Sequence, residues 1–311
     1  MSAVIQTHNQ GGRLPLAAGH PDRVLVFDGE GALTLGAFMQ QARALAAGLP
    51  DARHVVHLAE DRRHFLLGFC AAALRGQVAL LPPSGAPGTV AEILEAHAAG
   101  GAYRLEAGRI DAVATQAAAT DPSVPAVEPD ALAAIGYTSG STGRPQPHAK
   151  TWAAFATGAM QNLAALQDLW GAAQPQVVAT VPPQHMYGME MTVMLPLLGG
   201  AAVHAGKPLF PADVARALHE ANGPRLLVTT PVHLRALLKS GMALPSLCGI
   251  VSATAPLPQE LAAEAEDRYG AEVREVFGST ETCVFARRRT ARDELWTPLP
   301  GVRLAPQPDG T

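Results

Sequence analysis

The sequence is poor in three things, and each shortage excludes a class of protein. Cysteine is scarce: Cys70, Cys248 and Cys283 are widely spaced, make no CxxC pair and cannot all be bridged, which excludes a disulfide scaffold and fits a reducing compartment. The cytoplasm is the expected location. Basic charge is also short, since 23 Lys+Arg stand against 27 Asp+Glu for a formal net charge of −4. No clustered cationic surface advertises itself for phosphate backbones or anionic lipid, so small-molecule chemistry is the default and no nucleic-acid partner is expected. Long apolar runs are missing as well. Phe65 to Pro82 is broken by Arg75 and Gln77, and Val193 to Gly206 by Pro196 and His204, short of the ~20 residues a membrane span needs. Residues Met1 to Leu14 contain no apolar core of the kind an export signal requires.

What is present is a core. With 311 residues and 48% hydrophobic side chains, disorder is excluded and one large domain or two small ones can be built. The 30 glycines and 26 prolines are spread along the chain, punctuating many short elements. Thr34 is placed to cap a helix whose apolar residues Leu35, Phe38, Met39, Ala42, Leu45, Ala46 and Leu49 recur at helical spacing, and His54 to Leu58 follows as a β-rich run. A second apolar helix, Phe65 to Leu74, is stopped by Gly76 before the buried-strand pattern Val78 to Leu81. Further strands are expected at Val177 to Val181, Ala201 to His204, Leu226 to Thr229, Gly249 to Ser252 and Val273 to Phe277. Helices are expected near 151–165, 211–221, 231–239 and 258–269. This alternation predicts an α/β fold with largely parallel sheets. The proline-rich segment 120–130 reads as a linker, dividing an extension at 1–19 and a sub-domain at 20–119 from a second sub-domain at 131–311.

Three local signals carry chemistry. Tyr137 to Pro145 (YTSGSTGRP) follows the apolar run Leu132 to Ile135, so a strand delivers a loop of glycines and hydroxyls whose backbone N–H groups can approach phosphate. It is neither a Walker loop, because Pro145 stands five after Gly140, nor a GxSxG elbow, because Gly140 directly follows Ser139. Taken alone, an ordinary Ser/Gly-rich surface loop reads equally well. Phe277 to Glu281 (FGSTE) ends another strand and offers a ring to stack a base, a hydroxyl for phosphate and a carboxylate for a cation; its plain reading is a turn with a surface acid. Pro182 to Gly188 (PPQHMYG) brings His185 to a third strand end, where a lone histidine is often only structural. All three lie at carboxyl ends of strands, where α/β folds bind ligands, and so point to one crevice.

In order and spacing, Tyr137 to Pro145, Pro182-x-x-His185-x-x-Gly188, Ser252 to Leu257 (SATAPL) and Phe277 to Glu281 resemble the motifs of the adenylate-forming superfamily, the acyl-CoA synthetases, peptide-synthetase adenylation domains and luciferases, over roughly residues 20–311. The string His20-Pro21-Asp22 falls before the first strand, with no helical hairpin around it to suggest a J-domain. The resemblance implies two mainly parallel sheets packed with helices, as in the large N-terminal domain of those enzymes. It implies ATP-dependent activation of a carboxylic acid as acyl-adenylate, with Mg²⁺, for transfer to the thiol of coenzyme A or a phosphopantetheine carrier protein. Thr138, Ser139, Gly140, Ser141, Thr142 and Gly143 would embrace the β- and γ-phosphates. Thr280 would bond the α-phosphate and Glu281 would hold Mg²⁺. Phe277, with Gly278 and Ser279 beside it, would lie on adenine near Ala253, Thr254 and Ala255, and His185 near the acyl carboxylate.

Departures are specific. Gln146 and Pro147 stand where the family continues Lys-Gly, leaving Lys150, expected at the start of the following helix, to supply the charge. Ala253-Thr254 replaces a glycine pair and narrows the space beside the base. The segment Trp296 to Thr311 resembles the approach to the ribose-binding motif, so the family's C-terminal lid and its lysine are expected to lie beyond this chain; a lid-less binding or regulatory remnant is the alternative to a ligase. The basic triplet Arg287-Arg288-Arg289 reads as a solvated turn after a strand, although it lies close enough to Glu281 to face an anionic ligand or carrier. No acid precedes Glu190 in the acyl-pocket segment, which predicts an acid without an α-amine, aryl or fatty; Met189, Met191 and Met194 fit plain helix core equally well.

Overall fold

A computed structural model of the chain describes residues 12–105, 107–114, 121–139 and 145–305. It is an α/β structure on two mainly parallel sheets. The larger sheet orders nine strands as Thr297–Pro298, Cys283–Arg288, Val273–Ser279, Gly249–Ser252, Arg225–Thr229, Gln176–Ala179, Ala202–His204, Val24–Asp28 and Gly31–Thr34; the central strands run parallel and the edge hairpins antiparallel. The smaller orders five as Ala102–Leu105, His54–His57, Val78–Leu81, Leu132–Ser139 and Pro145–Thr151. Among the described residues no helix is long and apolar enough to cross a membrane.

Strand alternation sorts the side chains into layers. Val177, Ala179, Val203 and Val228 of the large sheet and Val55 and Ala79 of the small one share a single core with Phe38, Phe65, Phe69, Trp152 and Phe155 from helices Leu35–Ala47, Arg62–Leu74 and Trp152–Leu166. Their neighbours turn the other way. Val178, Leu227, Ile250 and Val273 pack beneath helices Pro211–His219, Pro231–Lys239 and Gln259–Tyr269, while Val56, Val78, Leu80 and Ile135 meet Val90 and Ile93 of helix Pro87–Ala96. A strand buried on both faces must be apolar throughout, which is why the sequence reads Val-Ala-Leu-Leu at 78–81. Thr34 caps its helix as expected, accepting from the Ala37 amide at 3.3 Å. Met189, Met191 and Met194 lie in the core.

The sheets do not follow a division at 120–130. The hairpin 24–34, from before that segment, completes the large sheet, and the hairpin 132–151, from after it, completes the small one. Parallel pairing of Leu132–Ser139 with Val78–Leu81 requires this crossing.

One buried arginine ties the layers together. Arg62, fully buried at the start of helix Arg62–Leu74, donates to the carbonyls of Ala179 (2.7 Å), Val181 (2.6 Å) and Gly206. Burial lowers its pKa to about 9, leaving it charged at neutral pH. Arg62→Met would keep the volume but leave those acceptors unpaired at a cost of about 3 kcal/mol. A melting temperature lowered by roughly 5 °C is expected, with Arg62→Lys recovering only part; an unchanged melting temperature for Arg62→Met would refute the clamp.

Candidate active site

Parallel strands deliver the site at their carboxyl ends. A cavity of about 510 Å³ is lined by His185, Ala253, Thr254, Ala255, Phe277, Gly278, Ser279 and Thr280, together with Tyr187, Glu190, Arg288 and Trp296. Three of the four separated motifs thus share one wall. A second cavity of about 280 Å³ adjoins it through His185, Met186 and Thr280 and extends to Tyr137 and Thr138, the end of the fourth motif. Ser139 closes its strand with its backbone opposite Pro145. Gly140, Ser141, Thr142 and Gly143 lie outside the described residues.

The turn that carries Thr280 and Glu281 is built by close approach. A Cβ on Gly278 would fall 2.2 Å from the Cys283 carbonyl oxygen, so only glycine lets the strand fold back, and Cys283 takes a positive φ of 61° to complete the reversal. Gly136 makes room in the neighbouring sheet: a Cβ there would lie 2.9 Å from Thr280 Cγ2. The Lys150 ammonium then anchors the turn, donating to the Glu281 carbonyl at 2.6 Å. Lys150 is therefore placed beside the site but not as expected. It is buried on strand Pro145–Thr151, and the helix begins only at Trp152, capped by Thr151. Prolines at 145 and 147 deny a helix its amides, so the segment pairs with Leu132–Ser139 instead. On the same strand His148, not singled out by the sequence reading, sets Nε2 3.2 Å from Thr138 Oγ1 and 3.3 Å from Glu281 Oε1. The Glu281 carboxyl is held below its ordinary pKa, first by the Ser279 hydroxyl and then by its own backbone amide, with His148 and Lys150 adding attraction.

Thr254 lines the same cavity with φ of 80°, a conformation glycine adopts freely and a β-branched residue does not. The backbone there has a glycine-like shape while carrying a threonine side chain. Phe277, 50% exposed, presents its ring to the cavity. Phe285 meets it edge-on with centroids 5.1 Å apart, and Trp296 lies against it, also at 5.1 Å, tilted by 34°. Arg288 sits 4.5 Å above Trp296 while pairing with the buried Glu275, which also receives the Leu257 amide and the Thr290 hydroxyl. The arginine triplet is accordingly no solvated turn. Arg288 ends a strand and Arg289 pairs with Glu266 and Glu272, acids on adjoining elements that also bind the Val273 amide and Arg274.

His185 stands exposed on the cavity wall, its imidazolium disfavoured first by neighbouring protein and then by the Lys207 charge. Glu190 is the less expected member. It is 2% exposed, both oxygens receive the Val284 amide (3.1 and 3.0 Å), and Asn162 Nδ2 donates to Oε1 at 3.1 Å. An acid inside the apolar stretch MYGMEMTVM was the available signal.

Burial lifts the Glu190 carboxyl from 4.5 to about 7, against the pull of Val284, Asn162 and Lys150. The folded chain keeps this proton over a range where the unfolded chain has lost it, so the group's contribution to stability falls as pH rises from about 4.5 to 7. Glu190→Gln should flatten that dependence, with a gain of up to about 3 kcal/mol at pH 8 and little change at pH 4.5. Thermal unfolding of both proteins across this range is the check, and parallel curves would show that Glu190 is ionised throughout.

Comparison with known proteins agrees with this architecture. The 4-coumarate–CoA ligase of Rhodobacter capsulatus is 37% identical over 172 residues, 54% of this chain and 42% of that protein. The indoleacetate–CoA ligase of Aromatoleum aromaticum is 30% identical over 169 residues, 53% of this chain and 32% of that protein. The aligned region thus spans less than half the length of these curated relatives. ATP-bound MatB from Rhodopseudomonas palustris shares the fold at a TM-score of 0.69 and 18% identity, covering 90% of this chain and 62% of that one. The AMP complex of O-succinylbenzoate coenzyme A synthetase (MenE) from Bacillus subtilis does so at 0.71 and 19% identity, covering 88% and 74%. The family model for AMP-binding enzymes matches residues 16–305, and the chain belongs to that family.

Proposed function

We propose that this chain is the nucleotide- and acyl-binding portion of an acid–thiol ligase, which activates a carboxylic acid with ATP and passes the acyl group to the thiol of coenzyme A or a phosphopantetheine carrier. The observation that carries this reading is the convergence of His185, Ala253 to Ala255 and Phe277 to Thr280, distant in sequence, on one cavity that continues to Thr138. The names of the relatives, several of them CoA ligases, support the same reaction class.

In the proposed reaction a carboxylate oxygen attacks the α-phosphorus of ATP, an O–P bond forms, and the bond to the pyrophosphate leaving group breaks. The chain's own groups orient the partners. Phe277 offers an exposed face to the base, and the Thr280 hydroxyl, held where Gly136 leaves space, donates to the α-phosphate. His185 meets the acyl carboxylate. Lys150 acts as a positioning residue through the Glu281 carbonyl it holds. The exposed, readily ionised Glu281 carboxylate fits as an oxygen ligand for a divalent cation. Such a cation, when bound, would offset phosphate charge.

The acid is best read as one without an α-amine. Glu190, the carboxylate in the cavity wall, is already engaged by Val284 and Asn162 and so offers no free partner for a buried ammonium, while Met186, Tyr187 and Val284 add apolar surface. An aryl or fatty acid fits that wall.

Two measurements test this reading. Calorimetry should show a non-hydrolysable ATP analogue binding the chain. Thr280→Val is expected to weaken AMP and the ATP analogue alike, about tenfold for one lost phosphate hydrogen bond, and Glu281→Gln to weaken only the cation-dependent part. Equal losses with and without cation in both variants would reject the assigned roles. In a second assay, non-reactive acyl-adenylate analogues with aryl, fatty and α-aminoacyl groups are compared by binding. The aryl or fatty analogue should lead by about tenfold or more, and a preference for the aminoacyl analogue would refute the substrate assignment.

A further inference from the structure

The arrangement around His148 departs from an all-oxygen cation site. Strand alternation puts Gln146, His148 and Lys150 on one face of Pro145–Thr151, and pairing sets His148 opposite Gly136, the residue whose missing side chain admits Thr280. His148 is thereby held against the turn. Its Nε2 has two oxygen neighbours, Thr138 Oγ1 at 3.2 Å and Glu281 Oε1 at 3.3 Å. Two donors that share one small divalent cation, each about 2.1 Å from it at near-right angles, stand about 3 Å apart. The His148–Glu281 pair has that spacing. Lys150, on the same face, is committed to the Glu281 carbonyl and so does not occupy the carboxylate oxygens, beside which the Ser279 hydroxyl also lies.

We propose that His148 is a nitrogen ligand, beside Glu281, for the divalent cation that accompanies the nucleotide, and that the chain therefore takes Mn²⁺ or Co²⁺ in preference to Mg²⁺. The proposal rests on the nucleotide-binding reading above. Mg²⁺ is a hard ion that favours oxygen and keeps its waters, whereas imidazole nitrogen suits the later divalent metals. A histidine at this place therefore changes which ion the site selects. The competing arrangement is a plain ion pair in which His148 occupies the carboxylate and must be displaced before any cation binds.

The two arrangements predict opposite results for His148→Ala. Binding of a non-hydrolysable ATP analogue is measured calorimetrically with Mg²⁺ and with Mn²⁺, and Mn²⁺ in the complex is probed for nitrogen coupling by pulsed electron paramagnetic resonance. The wild-type chain should bind the Mn²⁺ form at least about tenfold more tightly and show coupling to an imidazole nitrogen. In His148→Ala the coupling should vanish, the Mn²⁺ form should weaken about tenfold and the Mg²⁺ form should change less than twofold. His148→Asn, which keeps a polar side chain on the strand, should behave the same way if the alanine variant proves unstable. Absence of nitrogen coupling in the wild-type complex, or tighter Mg²⁺ binding after His148→Ala, would overturn the proposal. AMP binding in the presence of a chelator separates the two levels. If folded wild-type chain binds no AMP, the nucleotide reading fails and this proposal with it; if AMP binds and the coupling is absent, the cation assignment alone fails.

Discussion

The guanidinium of Arg62 ties the helix Arg62–Leu74 to the strand ends of the large sheet, and the segment that leads to His185 starts from that contact. Its acceptors are the carbonyls of Ala179 and Val181, where the strand Gln176–Ala179 runs out, and of Gly206, just past the neighbouring strand Ala202–His204. Strand ends normally lose their pairing partners to solvent, but these are buried, so one planar group with several fixed donors replaces the ladder. The residues that follow Val181 are Pro182 to His185. Their path into the cavity is thus fixed by an arginine on a helix of the other layer, and with it the place of the imidazole on the cavity wall. Arg23 does similar work nearer the N-terminus, saturating the carbonyls of Ala18, Pro196 and Leu197.

A second constraint is concentrated in the turn from Gly278 to Cys283. Backbone passes so close to backbone that Gly278 can carry no side chain, and Cys283 is held in a left-handed conformation that an L residue adopts only at a cost. Hydrogen bonds hold it there. Ser279 and Thr282 bond each other across the turn, Lys150 takes the Glu281 carbonyl, and the Glu190 carboxylate takes the Val284 amide. The polar groups of the turn are therefore supported from behind by two buried side chains, the Lys150 ammonium and the Glu190 carboxyl, on elements far away in sequence. Such support keeps Thr280 and Glu281 in place before any ligand arrives.

Much of this was legible in the sequence, for identifiable reasons. Buried strands such as 78–81 and 249–252 must be apolar, amphipathic helices carry a period, and Thr34 and Thr151 cap with their own side chains, so elements and their order could be read locally. The cavity wall formed by residues 253–255 and 277–280 was legible because short motifs sit at strand ends. What could not be read was pairing over long range. Nothing local says that 24–34 joins the large sheet while 132–151 joins the small one, or that Pro145–Thr151 extends as a strand where the following residues form a helix. The misplacement of Lys150 and the omission of His148 follow from that single gap, since both side chains acquire their meaning only when the strand is laid beside Gly136 and Thr138.

The same pairing explains how the site accommodates the absence of a lysine at Gln146. Here the cation is set further along the strand: the Lys150 ammonium, with His148 beside it, faces the turn at 279–283. Coulomb attraction falls with distance and is weakened by water, so a buried ammonium bonded to the turn acts first on the turn itself. Thr254 and Trp296 also shape the cavity lining, one by placing a side chain on a glycine-like backbone and the other by packing against one side of the Phe277 ring.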